Sequence, residues 1–263
     1  MSWNGKVVIV TGAASGIGAA TAALFAKQNA TVVIVDMNAD AAREGARGIE
    51  AAGGRALVIQ GDVTNERDVR AVAERTLETF GRIDALVNNA GIMRRHDRLE
   101  DWPLDEFRRI IDINLTGLFV TTQAIAPLMG RGGGGAIVNI SSLGAIFPVA
   151  YSPCYAAAKA GVLALTRSLA PLLEPHRVRI NAILPSLVDT PLIKGSPMST
   201  MTLPPGTLLK PGDIANAVVY VAGNSALNSA FFVVNGTATG PCLLRLNDPP
   251  EQVEHTEQPF QKH

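Results

Sequence analysis

Alternation is the feature that most constrains the fold of this chain. Short apolar, β-branched runs take turns with longer stretches of helical composition along nearly its whole length. Strands are predicted at 7–10, 31–35, 56–59, 85–87, 136–140, 178–184 and 231–234. Helices are predicted at 19–28, 39–52, 66–80, 104–129, 155–173 and 211–221. Strands that are apolar throughout have no polar face to turn to water, so both faces of their sheet must be covered. Right-handed crossovers then give an α/β, doubly wound, parallel, Rossmann-like sheet. One domain is expected over 1–246, with no linker inside it. Two stretches break the pattern. Residues 190–210 are rich in Pro, Gly, Ser and Thr without regular period, and read as a lid loop over a substrate site. The polar stretch 247–263 reads as a C-terminal tail, either loose or folded over the site.

Charge narrows the partners. The formal net charge is +0 and the pI about 6.9. Nucleic acid and anionic membranes both need clustered cations, so neither is expected. No run approaches the length of a membrane span, and the first residues lack the pattern of a signal peptide. A cytoplasmic protein is expected. Cys154 and Cys242 have no metal-site spacing. They read as free thiols, and no metal is expected. The glycines at 132–135 lack a following Lys-Ser/Thr pair, so they form a loop rather than a phosphate grip.

The turn after the first strand reads Thr11-Gly12-Ala13-Ala14-Ser15-Gly16-Ile17-Gly18. Glycines there let the backbone approach a pyrophosphate, which the next helix meets with its N-terminal N–H groups. Gly12, Ser15, Gly16, Ile17 and Gly18 are therefore candidate dinucleotide contacts. Asp36 ends the second strand. Its carboxylate would accept from the adenosine ribose hydroxyls and repel a 2′-phosphate. Met37 follows it and brings no cation. NAD is therefore expected rather than NADP, although a capping role for Asp36 stays open. Asp62-Val63 and Asn89-Ala90-Gly91 follow the third and fourth strands. They serve either as cofactor contacts or as ordinary turns.

Tyr155 and Lys159 lie four apart at the start of a helix and share a face. A neighbouring ammonium favours phenolate, and a phenolate could take the proton of an alcohol as hydride leaves. Tyr151 has no cation four residues on and reads as a decoy. Ser142, at the end of the fifth strand, could donate to the substrate oxygen. Its neighbour Ser141 should point the other way by strand alternation. Ser152 joins Ser142 and Tyr155 as a candidate substrate contact. Asn114, set among apolar neighbours on the long fourth helix, is either a structural amide or the anchor of a water linking Lys159 to solvent.

Thr-Gly-x-x-x-Gly-x-Gly, Asn-Asn-Ala-Gly, Asn114, Ser142 and Tyr155-x-x-x-Lys159, in this order, resemble the short-chain dehydrogenase/reductase family. The resemblance covers residues 5 to about 236. It implies an Asn114–Ser142–Tyr155–Lys159 tetrad. It also places Pro185, Val188 and Thr190 beside the nicotinamide, and makes the chain a homodimer or homotetramer packed through its long fourth and fifth helices. Two departures stand out. Pro185-Ser186 replaces the family's Pro-Gly, and Asn235-Gly236-Thr237 replaces its Asp-Gly-Gly. Pro148-Val149-Ala150, Asn181-Ala182-Ile183, Ala226-Leu227-Asn228 and Pro259-Phe260-Gln261 are similar to the NAD-dependent hydroxyprostaglandin dehydrogenases. Leu143, Ile146, Phe147, Leu192, Ile193, Met198 and Met201 would suit an apolar substrate. The expected function is NAD-dependent oxidation of an apolar secondary alcohol, cyclic or lipid-like. A carbonyl reductase using the same site, or a non-catalytic NAD-binding scaffold, are the alternatives.

Overall fold

In a computed structural model of the chain, residues 2–194 and 207–236 are described. Seven parallel strands form one sheet in the order β3-β2-β1-β4-β5-β6-β7. They are β1 (Val7–Thr11), β2 (Thr31–Asp36), β3 (Arg55–Gln60), β4 (Ala85–Asn88), β5 (Gly135–Ile140), β6 (Val178–Pro185) and β7 (Phe231–Val234). The helices are α1 (Gly16–Lys27), α2 (Ala39–Ala51), α3 (Glu66–Phe80), α4 (Leu104–Ile111), α5 (Gly117–Arg131), α6 (Pro153–Leu173) and α7 (Pro211–Gly223).

Strand alternation divides the core. Val8, Val10, Val32 and Ile34 face α1, α2 and α7, packing with Phe25, Ile49 and Val218. Ile9, Val33 and Val35 face α3, α5 and α6, packing with Val72, Ile125 and Leu173. The inner strands thus bury both faces, as a parallel sheet requires, while the edge strands β3 and β7 are only partly covered. The chain moves outward from β1 to β3, then returns to place β4 on the other side of β1. That reversal opens a crevice at the carboxyl ends of β1 and β4, where open α/β sheets bind ligands.

Two expectations need correction. The predicted helix at 104–129 is one continuous run, but it is not uniformly α-helical. A π-turn at Asp112–Thr116 separates α4 from α5, so one residue too many is packed into that turn. The run also overturns the reading that no stretch approaches membrane-span length. Leu104–Arg131 and Pro153–His176 are both long and apolar enough by length and composition. Both are core helices: α5 lies against β4 and β5, and α6 against β6. Of the predicted lid, 190–194 and 207–210 are described, and Val188 bridges to Leu209. The rest of that segment lies outside the described residues, as do the tail, Cys242, Met198, Met201, Thr237 and the 259–261 motif.

Candidate active site

Two turns interlock at the crevice. The Asn89 side-chain amide donates to the carbonyls of Thr11 (3.0 Å) and Gly12 (2.9 Å). Thr11 Oγ1 accepts from the backbone N–H groups of Asn89 and Ala90. The glycines make this closeness possible. Gly12 has φ +64, and a Cβ there would come within 2.7 Å of Ala90 Cα. A Cβ on Gly18 would stand 2.3 Å from the Gly12 carbonyl oxygen. Both contacts are far inside van der Waals distance. These glycines therefore hold strand, turn and helix together as well as leaving backbone exposed.

Gly12, Ser15, Gly16, Ile17, Asp36, Met37, Asp62, Val63, Asn89, Ala90 and Gly91 line one cleft of about 330 Å³. Gly18, one step inside α1, does not line it. Asp36 accepts from the N–H groups of Ala14 (3.0 Å) and Asn38 (2.9 Å). It caps neither helix, since α1 follows Ser15 and α2 follows Asn38, and a carboxylate with about four acceptor sites keeps capacity for more. Asp62 accepts from both the N–H and hydroxyl of Thr64, forming an Asx turn. Arg109 of α4 also reaches this cleft, which no local spacing in the sequence marked.

A second cavity of about 200 Å³ adjoins the first. Ile17, Asn89, Gly91, Thr190 and Leu192 line both. Into it the structure brings Asn114, Ser142, Tyr155 and Lys159, together with Pro185 and Val188. Ser142 lies two residues past β5 rather than at its end, where it caps a short 3-10 turn by accepting from the Gly144 N–H. It also hydrogen-bonds Tyr155. Lys159 is buried, and its Nζ donates to the Ile140 carbonyl at 2.8 Å and lies 5.6 Å from the Tyr155 ring centre.

Burial dominates the electrostatics here. It pushes the Tyr155 phenol up to about 12, against the pull of the Ser142 hydrogen bond. It pushes Lys159 down to about 8. The expectation that Lys159 lowers the Tyr155 pKa is therefore not met. Removing water from both groups penalises phenolate and ammonium alike. The π-turn aims Asn114 inward, where it is buried. Its Nδ2 donates to the carbonyls of Ile92 and Ile110, while its Oδ1 accepts nothing among the described residues. A Cβ on Gly91 would stand 2.6 Å from that oxygen and 3.5 Å from Lys159 Nζ.

Three side-chain expectations are corrected. Ser152 is fully buried at the start of α6 and does not line the cavity, because helix packing turns it inward. Ile146 lies off the cavity, which Leu143, Phe147, Leu192 and Ile193 line. Tyr151 is no bystander. It lines the cavity, with Arg95 stacked over its ring at 5.5 Å. Ser141 is buried, and its hydroxyl donates to the main-chain carbonyl of Lys159 at 2.9 Å. Neighbouring residues 140 and 141 thus grip both ends of Lys159. Only the three-dimensional packing of β5 on α6 reveals this.

A family profile described as short chain dehydrogenase matches residues 6–198. The chain belongs to the short-chain dehydrogenase/reductase family. Among relatives of this family member is a cis-4-hydroxycyclohexanecarboxylate dehydrogenase from Sinomonas cyclohexanicum. It is 42% identical, with 89% of this chain and 96% of the relative covered. A cyclohexanol dehydrogenase from Acinetobacter sp. (strain SE19) is 34% identical over 90% of this chain and 96% of its own. A solved short-chain dehydrogenase/reductase from Mycobacterium marinum superposes with a TM-score of 0.85 at 33% identity, covering 91% of this chain and 98% of that one. Short-chain dehydrogenase/reductases bind a nicotinamide dinucleotide, and the residues present fit one. The first cleft offers the α1 N-terminus behind a turn stripped of side chains at Gly12, and a carboxylate at Asp36.

Proposed function

We propose that this short-chain dehydrogenase/reductase is an NAD-dependent dehydrogenase that oxidises apolar secondary alcohols to ketones, with Tyr155 as the base. The observation that carries the reading is the meeting of two cavities. Ser142, Tyr155 and Lys159 project into one that opens directly beside the dinucleotide cleft. The curated relatives that act on cyclohexanol and hydroxycyclohexanecarboxylate favour a ring alcohol over a lipid-like one.

Bound NAD supplies the hydride acceptor. Ser142 donates to the substrate oxygen, and Tyr155 takes its proton. A phenol held near 12 gives up its own proton only where positive charge offsets the phenolate. Lys159, an ammonium below about pH 8, provides one such charge close by. Asn114 Oδ1, facing Lys159 across Gly91, is the acceptor through which the proton path continues. Asp62, Val63, Asn89, Ala90, Gly91, Pro185, Val188 and Thr190 frame the dinucleotide, and Asp36 selects NAD over NADP by charge. Leu104, Phe107 and Phe119 are apolar side chains left exposed on α4 and α5. They support a homodimer or homotetramer, which a mass measurement in solution would test.

The test is NADH formation from cyclohexanol, followed by absorbance and compared with NADPH formation. NAD should be preferred. Asp36→Ala should narrow that preference by about tenfold or more, the scale of one charge-assisted contact. An enzyme that prefers NADP, or shows no turnover with any secondary alcohol, would overturn the reading.

A further inference from the structure

Arg109 of α4 lines the dinucleotide cleft, where no motif of the sequence predicts a cation. The strand order sets the two ends of that cleft apart. The reacting groups lie on the side of β4, β5 and β6, while Asp36, Gly61, Asp62 and Val63 lie past the ends of β2 and β3. With the adenosine ribose on Asp36, the base of a dinucleotide belongs at the β2–β3 end. The long helix passes along this end. A Cβ on Gly117 would stand 2.7 Å from Val63 Cγ2, Ile113 lines the cleft about one turn earlier, and Arg109 lines it one turn earlier still.

Arg109 is exposed, and among the described residues no hydrogen bond or ion pair holds its guanidinium. The neighbouring Glu106 is engaged by Arg94 and His96 instead. Phe107, on the exposed apolar side of α4, lies about 200° around the helix from Arg109. A guanidinium is planar and weakly hydrated, and stacks on aromatic faces. Adenine offers such a face and carries no charge. We infer that Arg109 is a cofactor-binding residue that stacks on the adenine ring and closes the adenosine end of the cleft. The inference rests on the dinucleotide reading of that cleft, which NAD and NADP share, and not on the identity of the alcohol.

The experiment measures binding of adenosine monophosphate (AMP) and of NAD to the full chain by calorimetry, with no alcohol present. Arg109→Met keeps a long side chain and removes the guanidinium. Arg109→Lys keeps the charge and removes the plane. Both should weaken AMP and NAD by about fivefold, the scale of one cation–π contact at an exposed site. Arg108→Met makes the same change of charge one residue away, at a position that does not line the cleft, and should bind AMP like the parent. Parental affinity in both Arg109 variants would overturn the inference. So would parental affinity in Arg109→Lys alone, because the residue would then act as a charge on phosphate rather than as a plane on the base. An equal loss in Arg108→Met would reduce the effect to net charge and also overturn it. These three outcomes leave the dinucleotide reading standing. A parent chain that binds neither AMP nor NAD would overturn that reading and the inference together.

Discussion

The two halves of the crevice are built on opposite principles. The dinucleotide half, around β1, β2 and β3, is made of backbone. Its turns touch because Gly12 and Gly18 lack a Cβ, and its polar contacts each tie a main-chain N–H or C=O to a short side chain. The substrate half, at the ends of β4, β5 and β6, is made of side chains. Tyr155, Lys159 and Asn114 are buried with their polar ends inward, and two of them have pKa values displaced toward the neutral form. A backbone site tolerates no added volume. A side-chain site tolerates volume changes better but depends on single functional atoms. The halves should therefore fail differently when altered.

The sharpest contrast should come from Tyr155→Phe. It removes one oxygen and leaves the ring, so turnover should fall about 10²- to 10⁴-fold, the range of lost acid–base catalysis. NAD affinity by calorimetry should stay nearly constant. An unchanged rate would remove Tyr155 from the chemistry. On the other side, Gly18→Ala should leave no such separation between binding and stability. Its methyl would meet backbone at 2.3 Å, and overpacking of that kind costs about 1–3 kcal/mol. Thermal denaturation and NAD affinity should both drop. An alanine variant that melts like the parent would mean that the turn has slack.

A third prediction concerns pH. The folded-state pKa of Lys159, about 8, lies below its ordinary value of 10.5. Between those pH values the unfolded chain binds more protons than the folded one, so this group's contribution to stability grows as pH rises from 8 toward 10.5. The slope is at most about 1.4 kcal/mol per pH unit. Lys159→Met should flatten that rise in urea denaturation series at pH 8, 9 and 10, relative to the parent. Equal slopes would mean that Lys159 is hydrated in the folded state. The smallest effect should belong to Ser141→Ala, which removes the hydrogen bond to the Lys159 carbonyl. A net loss of about 1 kcal/mol is ordinary for such a bond. It should show as about a fivefold lower kcat with little change in KM, together with a shifted pH–rate profile. A drop in stability alone, with kcat and the profile intact, would leave Ser141 a purely structural residue.

The same contrast explains what could be read from the sequence. The strands and helices were legible almost to the residue, because uninterrupted β-branched runs and amphipathic stretches are local properties. Helix 66–80 and strand 231–234 fall where expected. The dinucleotide turn was legible for the same reason: its three glycines, Gly12, Gly16 and Gly18, fall within one short stretch between a strand and a helix. Tyr155, Lys159 and Ser142 were legible through spacing. What escaped depends on contacts between distant segments. The inward turn of Ser152, the place of Tyr151 in the cavity wall and the hold of Ser141 on Lys159 are set by how β5 and α6 meet. The direction of the Tyr155 shift escaped too, because a neighbouring cation is visible in sequence and the loss of water is not.

The π-turn at Asp112–Thr116 has a consequence for how such a chain can change. Each residue of an α-helix turns about 100°, and a π-turn takes up one extra residue so that the winding on either side keeps its phase. Deleting one residue within 112–116 would restore regular winding and keep the long helix whole, with α4 and α5 still facing as they do. What would change is the turn itself, which carries the inward Asn114 and its bonds to Ile92 and Ile110. The buried face of α5 would stay on the sheet. The surplus residue thus shapes one polar position without disturbing the packing around it, and a shortening that leaves the fold intact would remove that position alone.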